Sequence, residues 1–120
     1  MATNYARGAA RERAIANLHK SAGWSAVRSA GSKGAFDVLA YGPAWKAIQA
    51  KSKPSDANAA MRDISLGEAV PVGTMVEVWL KLPIGWRIWR LVPGTLGWAM
   101  ISDGPKLSPD VFIFCPVNCP

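Results

Sequence analysis

Histidine and cysteine are nearly missing from this chain: its 120 residues include one histidine, His19, and two cysteines, Cys115 and Cys119. That scarcity removes several kinds of chemistry at once. A zinc centre needs more nitrogen and sulfur ligands than Cys-Pro-Val-Asn-Cys-Pro supplies, and His19 lies far from it in sequence. Both cysteines read as free thiols in a reducing compartment. No apolar run is long enough to span a bilayer. The opening Met1-Ala2-Thr3-Asn4-Tyr5-Ala6-Arg7 has no apolar secretory segment, so the expected place is the cytoplasm, with no membrane partner. There is no internal repeat and no low-complexity tract. Acidic residues are also few, eight against fourteen lysines and arginines, for a net charge of +6. An excess of this size favours a polyanionic partner through counterion release from phosphates.

Half of the residues are hydrophobic, which fits a packed core and excludes a disordered chain. The length suits one domain, 1–120, with 93–120 a less defined extension. Apolar residues Ala10, Ala14, Ile15 and Leu18 at helical spacing predict a helix over about 7–22, stopped by Gly23. Glu12 and the arginines Arg7, Arg11 and Arg13 lie on it. Arg7 and Arg11 share one face, while Glu12 is turned about 100° from Arg11, toward the strands. A short strand follows over 24–28, then a small polar loop, Ser29-Ala30-Gly31-Ser32-Lys33-Gly34. Asp37–Tyr41 and Trp45–Lys51 read as a hairpin around Gly42-Pro43.

In the second hairpin strand Gln49 and Lys51 point one way, Ile48 and Ala50 the other. An acid on one strand, beside an amide oxygen and an amine on its neighbour, can hold a divalent cation next to a phosphate. Ser55 or Asp56 is expected to cap a second helix through Ala59, Ala60, Met61, Ile64 and Leu66. Thr74–Leu82 alternates as a half-buried strand, with Met75, Glu77, Trp79 and Lys81 on one face. Pro83-Ile84-Gly85 turns into a partner strand over 86–92. The tail after Pro93 is expected to add an edge strand or cover the core. The element order predicts an α/β fold with a central mixed sheet flanked by helices. His19 reads as a helix-surface residue, and the tryptophans as core and interface residues.

Four blocks carry a resemblance: Tyr5–Arg13; Trp24–Lys33 followed by Phe36-Asp37; Ile48-Gln49-Ala50-Lys51; and Ile84–Ile88. In this order they resemble archaeal-type Holliday junction resolvases over roughly residues 5–92. The resemblance implies a restriction-endonuclease-like core of the PD-(D/E)xK nucleases, in an archaeal, bacterial or virus-infected cell. It implies a homodimer that cuts four-way DNA junctions symmetrically with Mg2+ (or Mn2+), leaving 5′-phosphate and 3′-hydroxyl ends. Carried over by residue, Glu12, Asp37 and Gln49 would be metal ligands and Lys51 the catalytic lysine; the Ala50 carbonyl is a further candidate ligand. Arg13, Arg28 and Ser32 match substrate or active-site positions. Arg7, Arg11, Lys33, Lys46 and Lys53 are candidates for phosphate contacts. Gln49 stands where a glutamate is usual; its carbonyl still suits a hard cation but carries one negative charge less. Two alternatives are a nuclease of the same superfamily acting on flaps or duplex, and a junction-binding protein that does not cut.

Overall fold

The computed structural model describes residues 4–29, 36–67, 73–95 and 97–113. Ser32, Lys33, Cys115 and Cys119 lie outside them. The chain runs α1 (Asn4–Ser21), β1 (Ser25–Arg28), β2 (Val38–Tyr41), β3 (Trp45–Lys51), α2 (Pro54–Gly67), β4 (Met75–Lys81), β5 (Trp86–Leu91), β6 (Trp98–Gly104) and a short 3-10 turn, η1 (Pro109–Phe112). The six strands form one sheet in sequence order. Every neighbouring pair is antiparallel except β3 and β4, which are parallel. A parallel pair needs a long crossover, and α2 is that crossover. The mixed sheet with flanking helices is the α/β fold read from the sequence. The tail does both things expected of it: β6 extends the sheet, and η1 covers the core.

Two apolar layers flank the sheet. On the α1 side Ile15, Ala16, Trp24, Ala26, Val38, Ala40, Ile48, Ala50, Trp79, Trp86, Ile88 and Val111 pack together. On the α2 side the buried set is Ala57, Ile64, Val76, Val78 and Leu80. Strand β4 is therefore buried on both faces, not half-buried, because it sits centrally and α2 covers the second face. The buried stripe of α1 also differs from expectation. Ala10 and Ala14 are exposed, while Ala9, Ile15, Ala16 and His19 face the sheet. Glu12 falls between them at helical spacing, and so meets a strand. Helix α2 begins at Pro54, whose missing N–H costs nothing at a helix start. Asp56 then sits in the first turn, where its charge suits the helix dipole, rather than at the cap.

Four polar residues are buried in or beside the α1-side layer. Lys46, Glu77 and His19 are fully buried. The Lys46 ammonium spends its three N–H groups on Glu77 Oε1 (3.4 Å), His19 Nε2 (3.1 Å) and the Val111 carbonyl (2.6 Å). Glu77 also accepts from Trp79 Nε1 (2.9 Å) and from Arg90 Nε (2.8 Å). His19 Nδ1 faces the Ile15 carbonyl at 2.8 Å, so Nδ1 carries the proton and Nε2 accepts from Lys46. Lys46 and His19 are thus interior residues, not a phosphate contact and a surface residue. Lys46 shares its side of β3 with Ile48 and Ala50, and His19 lies four residues from Ile15, so both follow their buried neighbours inward.

The network makes stability depend on pH. Burial, then the neighbouring Lys46 charge, push the His19 pKa from 6.5 down to about 4. Unfolded chains take up this proton near pH 6.5, folded ones only near pH 4, so stability is full above 6.5 and drains as pH falls toward 4. The loss amounts to about 3 kcal/mol at most. Urea melts at a series of pH values between 7 and 4 should show this decline, and His19→Gln should flatten it. Burial likewise lowers Lys46 from 10.5 to about 8 against the pull of Glu77, so its contribution rises as pH climbs from 8 to 10.5.

The β4–β5 turn depends on one glycine. Gly85 has φ +91°, and a Cβ there would run into the Gly104 carbonyl and Pro105 on the neighbouring strand end. Gly85→Ala is expected to lower the unfolding free energy by about 3 kcal/mol, the upper end for a strained backbone position. A urea melt reads it directly.

Candidate active site

One end of the sheet gathers most of the residues singled out in the sequence. There β1 ends, β2 begins and β3 ends. The Ser29 N–H donates to the Asp37 carbonyl (2.8 Å), and the Asp37 N–H donates to the Ile48 carbonyl (2.8 Å). These bonds set Asp37 against both neighbouring strands just before the regular ladder starts at Val38. The Ala50 N–H then donates to Asp37 Oδ2 at 3.0 Å. A side-chain oxygen has taken the place of a ladder carbonyl, which fixes the carboxylate beside Gln49-Ala50-Lys51.

Gln49 and Lys51 line an open cleft of about 310 Å³ between β3 and α2, together with Asp56, Ala59, Ala60, Asp63 and Ile64. Asp56 and Asp63 were not read as site residues from the sequence. Their spacing of seven puts them on one face of α2 about two turns apart, which is the signal available there. Glu12 reaches the same end of the sheet from α1 and is held by Arg28, with Nη2 at 3.2 Å and Nε at 3.3 Å. Its partner there is Arg28 rather than Asp37. The pair is only partly exposed, so it orders both side chains more firmly than a surface ion pair would.

Of the basic residues, Arg7 and Arg13 are exposed on α1 and Lys53 is exposed after β3. Arg11 is half-buried, and its Nε is buried with no hydrogen-bond partner among the described residues. Among these residues no three His, Cys, Asp or Glu side chains come together as a metal-binding group. The oxygen donors at this end are instead the Asp37 carboxylate, the Gln49 side-chain amide and backbone carbonyls. That oxygen-only, carboxylate-poor set suits Mg2+, which keeps several waters and takes further ligands from substrate phosphates.

The helix, the three-stranded antiparallel meander, the crossover helix and the parallel fourth strand form a mixed α/β core. Within that class the chain is similar to the archaeal Holliday junction resolvases: residues 3–59 match the model of the family described as archaeal Holliday junction resolvase (hjc). That span holds Glu12, Arg28, Asp37, Gln49 and Lys51; the block Ile84–Ile88 falls outside it. Among solved structures, the Holliday junction resolvase of the archaeal hyperthermophile Archaeoglobus fulgidus aligns at 26% identity, covering 68% of this chain and 70% of that one, with a TM-score of 0.49. No curated protein matches the chain. Among the described residues no helix is long and apolar enough to cross a membrane.

Proposed function

We propose that this chain is a Mg2+-dependent endonuclease that cuts four-way DNA junctions as a homodimer. The observation that carries the reading is the Asp37 carboxylate, pinned by the Ala50 N–H beside Gln49 and Lys51 inside the segment that matches the resolvase family. Asp37, Gln49 and the Ala50 carbonyl would hold the metal, with Glu12 as a further ligand. When bound, the metal polarises the phosphoryl group and lowers the pKa of a water. Asp37 is held beside Gln49 and Lys51 because one of its oxygens is tied to the β3 backbone. Lys51 places positive charge where the phosphate becomes more negative in the transition state. Arg7, Arg11, Arg13, Arg28 and Lys53, with Ser32 and Lys33, provide backbone contacts that position DNA without reading its sequence. Two copies place one such site on each of two opposing strands, so that the cuts are paired.

Gln49 sets how tightly the metal is held. Gln49→Glu restores a negative ligand, and the Mg2+ concentration for half-maximal cleavage is expected to fall roughly tenfold. A Mg2+ titration of cleavage rate measures it. The reading as a whole is tested on a panel of four-way junction, flap and linear duplex of matched sequence. Preferential cutting of the junction, with paired nicks in opposing strands, is the expected result. Equal rates on all three would sink the resolvase assignment in favour of a general nuclease.

A further inference from the structure

Helix α2 packs over β3 and β4 and accepts a bond from Trp98 of β6 at Ser65 (2.8 Å), while the β1–β2 end of that side is bare of it. Register places Val27, Leu39, Tyr41 and Trp45 on that bare side: Val27 lies opposite Leu39, and Tyr41 opposite Trp45. All four are exposed, Val27 by 55%, Tyr41 by 45% and Trp45 by 58%. The two aromatic rings lean together, centroids 5.1 Å apart at 39°. This is a contiguous apolar surface on a basic protein, and no charged side chain of β1 or β2, nor of β3 before Lys51, belongs to that row. Along β3 the same row continues from Trp45 through Ala47 to Gln49 and Lys51. The aromatic pair therefore lies four residues, or about 13 Å, from Gln49 along one strand face.

We infer that the Tyr41–Trp45 pair is a stacking platform for unstacked bases of a DNA branch point whose backbone is held at the Asp37–Gln49–Lys51 end. This rests on the nuclease reading above and names the part of the substrate that its sheet face meets. An uncharged aromatic surface has nothing for phosphates, which belong to the Lys51 and Lys53 end, but each base offers it a π-face. Thirteen ångströms corresponds to about four base steps at ~3.4 Å each, and to fewer where the strand is splayed. A perfect duplex keeps its bases stacked inside, whereas a branch point can release them, so the platform favours junctions over linear DNA. Leu39 and Val27 supply the apolar floor beside the rings.

The test is binding of an immobile four-way junction and a linear duplex of the same arm sequence, by fluorescence anisotropy in metal-free buffer so that nothing is cut. Trp45→Ala and Tyr41→Ala should each lower the junction-to-duplex affinity ratio by at least about fivefold. Trp45→Phe should keep most of it, since a ring remains. Ile84→Ala, at an equally apolar and exposed position on the distant β4–β5 turn, should not move the ratio. A wild-type protein selective for junctions whose alanine variants are equally selective overturns this inference alone. A wild-type ratio near one overturns the junction reading and this inference with it. Loss of the dimer by sedimentation in Trp45→Ala, with junction and duplex affinity falling together, would reassign the face to a second copy of the chain and overturn the stacking role.

Discussion

Asp37→Asn is expected to slow junction cleavage by about 10²–10³-fold, with the loss in kcat rather than in affinity. The size follows from how the residue is held. One oxygen, Oδ2, accepts the Ala50 N–H, and the other is the one that would face the metal. Asparagine keeps the shape, and its amide oxygen can still accept that hydrogen bond, so β2 and β3 stay in register. What it places at the other position is an NH2 group, a donor where a cation needs an acceptor. Asp37→Ala goes further: it leaves the Ala50 N–H without this partner and should cost about 1 kcal/mol of stability as well. Single-turnover cleavage of a labelled junction, alongside urea melts of both variants, separates the chemical loss from the structural one. Near-wild-type cutting by Asp37→Asn would remove Asp37 from the site.

The largest effect on stability is expected from Glu77→Ala. Glu77 is fully buried and is the shared anion for Lys46 and Arg90, which approach its two oxygens at 3.4 and 2.7 Å. Removing it leaves an ammonium with no counter-ion inside the core, and the cost of breaking such a buried pair is about 3–5 kcal/mol. Arg90 is partly exposed and can turn to solvent, so the penalty falls mainly on Lys46. Adding Lys46→Met to the variant removes the stranded charge and should recover much of the loss, although the bond to the Val111 carbonyl goes with it. Urea unfolding of the single and double variants measures the coupling. If the single variant loses less than about 1 kcal/mol, the network does not hold the core as described.

Strand periodicity and the Gly42-Pro43 turn placed β2, β3 and the two faces of β3, because the period of two follows from backbone geometry alone. The Asp37, Gln49 and Lys51 positions at one sheet end follow from that hairpin. The hydrogen bond from Ala50 to Asp37 does not, since it arises where the ladder stops being regular. The burial of Lys46 and Glu77 was not legible because each charge is costly to bury alone; only their meeting, with Arg90, across three strands makes it tolerable. Residues 98–104 gave little sign of a strand: Trp98-Ala99-Met100-Ile101-Ser102-Asp103-Gly104 has no strict alternation, and a register irregularity beside Trp89 accompanies its pairing with β5.

Glu12 shows the same limit from the other side. Helical spacing turned it toward the strands, and the structure has it there, in the grip of Arg28. Position came from the period; the partner came from the register of a strand sixteen residues later.

The most direct measurement is cleavage of a four-way junction by the purified full chain, with Mg2+ and with EDTA, mapping the nicks on each strand. Paired nicks in opposing strands that appear only with Mg2+ and vanish in Asp37→Asn are the predicted result. Binding without any cut in Mg2+ or Mn2+, or cutting that EDTA and Asp37→Asn leave untouched, would contradict it.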